Sequence, residues 1–187
     1  MTDLAALAER DALPPEFRFL VAEFPREGWA AAAGPFTAFY LERHEFFRGV
    51  TARLEAETET FLDDGADPRR FAGAVSRFGS LFLTQLHAHH RIEDEHYFPR
   101  ISGLEPRATR AFDLLESDHH AMDGILARFG TDANAAIAAA EETRLAEADR
   151  LRATLAETRR LLARHLTDEE DIVVPLMLKF GADAALD

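Results

Sequence analysis

Two stretches of the chain repeat one donor pattern. His89 and Glu93 stand four residues apart, followed by Asp94 and Pro99, and His165, Glu169, Glu170 and Pro175 reproduce the series at an offset of 76 residues. Residues four apart on a helix share a face, so each His-x-x-x-Glu pair can address a common point. The apolar residues ahead of them, Phe78, Phe82 and Leu86 in one case and Leu151, Leu155, Leu161 and Leu162 in the other, turn that face towards a core. Two lone histidines, His44 and His119, match at an offset of 75, together with Phe39 and Leu114, Phe47 and Met122, Gly49 and Gly124, and Arg53 and Arg128. Burying two carboxylates among four imidazoles costs several kcal/mol per unpaired ion. A pair of metal ions removes that penalty. Imidazole and carboxylate together suit iron, manganese or zinc, and the absence of cysteine excludes disulfides, iron–sulfur clusters and thiolate zinc sites.

These donors need long helices to carry them. At 187 residues, with 47% hydrophobic and 29% charged residues, the chain has the composition of one helical globular domain. Gly34-Pro35 opens a helix over about 35–62, and Asp67-Pro68, an N-cap followed by a first-turn proline, opens a second over about 68–98. Glu105-Pro106 starts a third over about 105–130, with Gly130 as its C-terminal cap, and a fourth covers about 141–170. The reading is all-α: an antiparallel four-helix bundle of two related helical hairpins over residues 35–187, preceded by an aromatic-rich arm over 1–34. The arm, with Phe17, Phe19, Phe24 and Trp29, is expected either to cover one end of the bundle or to supply a homodimer surface.

The order of a lone His, a His-x-x-x-Glu pair, a second lone His and a second pair, in register with both prolines, resembles the hemerythrin-like, or HHE cation-binding, family over about Phe36 to Phe180. The resemblance implies a non-haem diiron centre, two Fe ions joined by an oxo or hydroxo bridge and by the Glu93 and Glu169 carboxylates, with His44, His89, His119 and His165 as terminal ligands. It implies a small-molecule ligand, O2, H2O2 or NO, with Mn or Zn as substitutes. Oxygen-carrying members place a further His one turn after the third helix's lone His, where this chain has Asp123. Asp123 or the adjacent His120 is therefore a candidate to complete the second iron. The altered ligand set, with Tyr40 one turn before His44, fits peroxide chemistry or redox sensing at least as well as reversible oxygen carriage. A peroxide-consuming enzyme and a non-enzymatic iron- or oxygen-responsive module both remain open at this point, since one fold hosts carriers, sensors and enzymes.

His87, His90, His96 and His120 are expected on solvent-facing or outer positions, His120 keeping the ligand role above only as an alternative. His90 and Asp94 form a competing His-x-x-x-Asp pair, but the spacing of His89 to Pro99 repeats that of His165 to Pro175. A ferritin-like site is weaker. It needs Glu-x-x-His on two helices; Glu93-x-x-His96 and Glu116-x-x-His119 supply the pairs, yet His44, His89 and His165 would go unused. A helical interaction protein without metal would leave the repeat to accident. The net charge of −13 and the lack of a basic stripe argue against nucleic acid and anionic membranes. The longest uncharged run, Gly28 to Leu41, falls short of the roughly 20 residues of a membrane span, and the acidic start, Met1 to Asp11, predicts a cytoplasmic protein.

Overall fold

The computed structural model describes residues 6–181, which are helical with short connections and contain no strand. Ahead of the long helices come 3-10 turns at Leu7–Glu9, Pro15–Phe17 and Arg26–Gly28, and two short helices, α1 (Phe19–Glu23) and α2 (Trp29–Ala32). Then follow α3 (Pro35–Asp64), α4 (Pro68–Ile92), a π-helical turn at Glu93–Tyr97, α5 (Phe98–Ser102), a 3-10 turn at Pro106–Ala108, α6 (Thr109–Ala138) and α7 (Arg144–Phe180).

Local chemistry explains most boundaries. Pro35 and Pro68 sit at first helical positions, where a missing N–H costs nothing. Asp67 caps α4, its carboxylate accepting from the Arg69 amide at 2.9 Å. Gly65, with φ of 64°, takes the left-handed conformation that ends α3. Two predicted ends fall elsewhere. Gly130 does not cap a helix: α6 continues through the Ala-rich run to Ala138, with Ala133 and Ala136 buried and Asp132 accepting from the Thr154 hydroxyl at 2.6 Å. Nor does the fourth helix stop near 170. It runs past Pro175 to Phe180. An internal proline costs about 3 kcal/mol, and burial of Ile172, Val173, Val174, Leu176 and Met177 around it offsets that.

The described residues fall into two compact units. The first takes in His89–His120 with the described parts of Met1–Glu45 and Ala163–Asp187; the second is Phe46–Ala88 and Ala121–Leu162. In the first, Leu13, Phe17, Leu20 and Trp29 from the segment before Pro35 share one apolar core with Tyr40, Phe98, Phe112, Leu115, Val173 and Met177. The segment read as an arm packed on the bundle contributes these four side chains to the core. In the second unit, Phe61 stacks on Phe71 at 4.2 Å and Phe82 meets Phe129 edge-on at 5.7 Å, in a core that also buries Phe47, Leu54, Met122 and Leu151. No helix among the described residues is long and apolar enough to cross a membrane.

Candidate metal centre

A cluster of buried imidazoles and carboxylates lies in the first unit. The last turns of α4 carry His89 and His90, and Glu93 opens the π-helical turn; α3 brings His44, α6 brings His119, and α7 brings His165 and Glu169. Their donor atoms form two groups. In one, His44, His89, Glu93 and Glu169 each place a ligand atom within 4.8 Å of the others; in the second, His90, His119 and His165 do so. All seven are buried.

The two carboxylates join the groups. Glu93 turns Oε1 towards His89 Nε2 at 3.3 Å and Oε2 towards His119 Nε2 at 3.9 Å. Glu169 mirrors it, with Oε1 3.5 Å from His44 Nε2 and Oε2 3.2 Å from His165 Nε2. His44 and His89 bring their Nε2 atoms to 3.2 Å of one another. Tyr40 donates its hydroxyl proton to Glu169 Oε1, and its ring lies 4.6 Å from that of His44. Tyr40 thus belongs to the apolar core and, through its hydroxyl, to the site.

A second layer of carboxylates stands behind the histidines. His44 Nδ1 meets Glu170 Oε1 at 3.0 Å and His119 Nδ1 meets Asp94 Oδ1 at 2.8 Å, while Asp118 Oδ2 faces His165 Nδ1 from 3.6 Å, too far for a hydrogen bond. At His44 and His119 the carboxylate at Nδ1 fixes the tautomer that leaves Nε2 with its lone pair inward. The internal repeat now acquires a physical meaning. His44 and His119 are repeat partners, as are Glu170 and Asp94, and each lone histidine is held by the acid that follows the opposite hairpin's glutamate.

His90 and two predicted alternatives need correction. His90, expected outside the site, is buried with its ring stacked on that of His119 at 4.0 Å and 5.3 Å from that of His165. His120, a candidate for the second group, is exposed and its Nδ1 meets the Glu116 carbonyl at 2.8 Å; Asp123, the other candidate, is exposed too. The third imidazole of the second group thus comes from α4. The sequence set it apart only through the competing His90-x-x-x-Asp94 pair, because it follows His89 directly.

Whether these residues suit cations follows from what they lack. Both Glu93 oxygens, Glu169 Oε2, His119 Nε2 and both His165 nitrogens are buried without a hydrogen-bond partner, a state that costs roughly 1–3 kcal/mol or more for each group. Burial, reinforced by Asp94 and Glu170 respectively, pushes the Glu93 and Glu169 carboxyls well above the usual range. Burial, with neighbouring imidazoles, pushes His89 and His165 well below it. Neutral imidazoles are ready to donate lone pairs, and bound cations would hold both carboxylates ionised. The residues present fit metal.

Helices that converge buried imidazoles and carboxylates on one point define a helical metal-binding protein. The hemerythrin HHE cation-binding domain matches residues 36–177, and the chain belongs to that family. No curated protein and no solved structure matches the chain.

Proposed function

We propose that the chain is a non-haem diiron protein that binds or turns over a small oxidant, dioxygen, peroxide or nitric oxide. The observation that carries this reading is the division of each carboxylate between the two donor groups, one oxygen towards His44 and His89 and the other towards His119 and His165. A single cation would use one group and leave the second as a buried cluster of imidazoles with nothing to bind. On this reading His44 and His89 would hold one iron and His90, His119 and His165 the other, with Glu93 and Glu169 offering one oxygen to each group. The helices that supply them would form an antiparallel four-helix bundle, consistent with the short connections from Asp64 to Pro68 and from Ala138 to Arg144. Bound iron supplies one-electron redox chemistry and affinity for small oxygen or nitrogen species.

The protein's own groups decide what accompanies that chemistry. Buried apolar residues exclude bulk water, which strengthens every charge interaction inside. The Tyr40 hydroxyl keeps a proton at Glu169 Oε1, beside the space between the histidines. A proton held at that point favours turnover of an oxidant over its simple storage, because reduction of dioxygen or peroxide consumes protons. Manganese or zinc would satisfy the same donors.

The test is metal content with an optical spectrum on full-length protein, wild type beside a Glu93→Ala, Glu169→Ala double variant. About two irons per chain with near-ultraviolet oxo-to-iron bands, both lost in the variant, is the expected result. Metal that survives loss of both glutamates would overturn the assignment. Peroxide consumption by wild type that falls in Tyr40→Phe, at unchanged iron content, would place the protein among enzymes rather than responsive modules.

A further inference from the structure

The segment before the matched family domain sends two arginines into the layer of carboxylates behind the histidines. Arg26 places Nη1 3.1 Å from Glu170 Oε2, while the other oxygen of that carboxylate meets His44 Nδ1 at 3.0 Å. The same guanidinium spans the neighbouring turn of α7, donating to Asp171 at 2.6 Å and to the Thr167 carbonyl at 3.0 Å, and lies over the Trp29 ring at 4.6 Å. Arg10 is buried. It donates to Asp118, whose Oδ2 stands 3.6 Å from His165 Nδ1, and through Nε to Asp168 at 2.8 Å, one residue before Glu169. Each arginine therefore stands one carboxylate away from a histidine of a different donor group.

The choice of carboxylates follows a physical rule. Asp94, which holds His119, has a side chain 31% exposed and is stabilised by water; Glu170 and Asp118, at 5% and 3%, are not. A carboxylate taken out of water is compensated when a cation stands against it. The two buried acids are the two that receive an arginine.

Resting on the diiron reading above, we infer that residues 10–26 are a working part of the metal centre: Arg26 is a positioning residue that, through the Glu170 hydrogen bond, keeps His44 aimed at its metal, and Arg10 is one that fixes the Asp118 carboxylate against His165. The hydrogen-bond partners described for the two arginines are carboxylates and a backbone carbonyl behind the metal donors. Each acts through its carboxylate, so its loss loosens metal without removing a ligand. Loss of a carboxylate behind a histidine costs about 10- to 100-fold in metal affinity, and one step further out about 3- to 10-fold is expected.

The experiment loads the full-length chain with ferrous iron and follows its transfer to an excess of chelator, for wild type, Arg26→Gln, Arg26→Lys and Asp118→Asn, beside the melting of each metal-free protein. Arg26 lies partly in solvent, so Arg26→Gln keeps the fold, and Asp118→Asn tests the Arg10 branch without stranding a buried guanidinium, which retains Asp168. Faster iron release in Arg26→Gln and Asp118→Asn at unchanged metal-free melting, with retention restored by Arg26→Lys, supports the inference. Release equal to wild type in both variants, or release that merely tracks lost melting temperature, overturns it and leaves the diiron reading standing. Wild type that takes up no iron overturns both.

Discussion

Glu93 carries the sharpest conflict in the molecule between stability and site. Fully enclosed, with neither oxygen hydrogen-bonded, it is a poor core residue unless a cation occupies the space before it. Glu93→Gln keeps the shape and removes the buried ionisable group. The metal-free variant is expected to be more stable than metal-free wild type by about 1–3 kcal/mol in chemical denaturation at neutral pH, while its iron content falls; lower stability of the metal-free variant would show that Glu93 is a structural acid. Glu105 presents the opposite case. The Arg107 guanidinium donates to its two oxygens at 2.8 Å each and Lys179 reaches it at 3.3 Å, which lowers its pKa from the ordinary 4.5 to about 2. A depressed pKa means stability that is complete above the unfolded value and lost as pH falls through the folded one. The melting difference between wild type and Glu105→Gln should hold steady above about pH 4.5 and close between there and about pH 2; a difference that persists at pH 2 would mean the ion pairs contribute nothing.

Helix positions were legible wherever a proline or an Asx cap marked a start, because those residues act through local backbone chemistry alone. Pro35 and Asp67-Pro68 are examples. Ends were harder to read, since a tertiary core can outvote a local breaker, as at Gly130 and Pro175. The π-helical turn at Glu93–Tyr97 left no readable sign: its repeat counterpart in α7 stays α-helical despite the matching proline. The His-x-x-x-Glu pairs were readable because a spacing of four is a helical property. His90 was not, because consecutive residues on a helix diverge by about 100°, which argues against both facing one cation; two adjacent donor groups give each residue its own target. Two glycines test the local part of this account. At Gly65, φ is 64° and an added Cβ meets nothing within 4 Å, so Gly65→Ala pays only conformational strain, about 1–2 kcal/mol in chemical denaturation, with Gly65→Asn losing less. Gly49 lies inside α3 with equally open surroundings and ordinary helical backbone, so Gly49→Ala should gain about 0.5–1 kcal/mol. Equal effects at the two sites would contradict the capping role of Gly65.

At the scale of the whole molecule, the family match begins at residue 36, yet the first compact unit does not. Leu13, Phe17, Leu20 and Trp29 lie in the core that surrounds Tyr40 and the end of α7, and full burial of a large apolar side chain contributes about 1.5–3 kcal/mol. Their joint loss rivals the entire stability of an ordinary domain, about 5–15 kcal/mol. Removing them would also strip Arg10 from Asp118 and Asp168 and Arg26 from Glu170. A chain lacking residues 1–34 should therefore lose hydrogen-exchange protection first around α5, at the start of α6 and at the end of α7, with the metal ligands among the earliest amides to open. Phe46–Ala88 and Ala121–Leu162 bury their own aromatic pairs and should retain protection longest. Sedimentation of the same chain separates the two roles first read for the segment: a change of mass from dimer to monomer with protection intact would make it an interface, whereas local opening at constant mass makes it part of the core. Protection and mass both unchanged would mean that the segment merely lies on a domain complete without it, and Arg10 would then have no structural reason to be buried where it is.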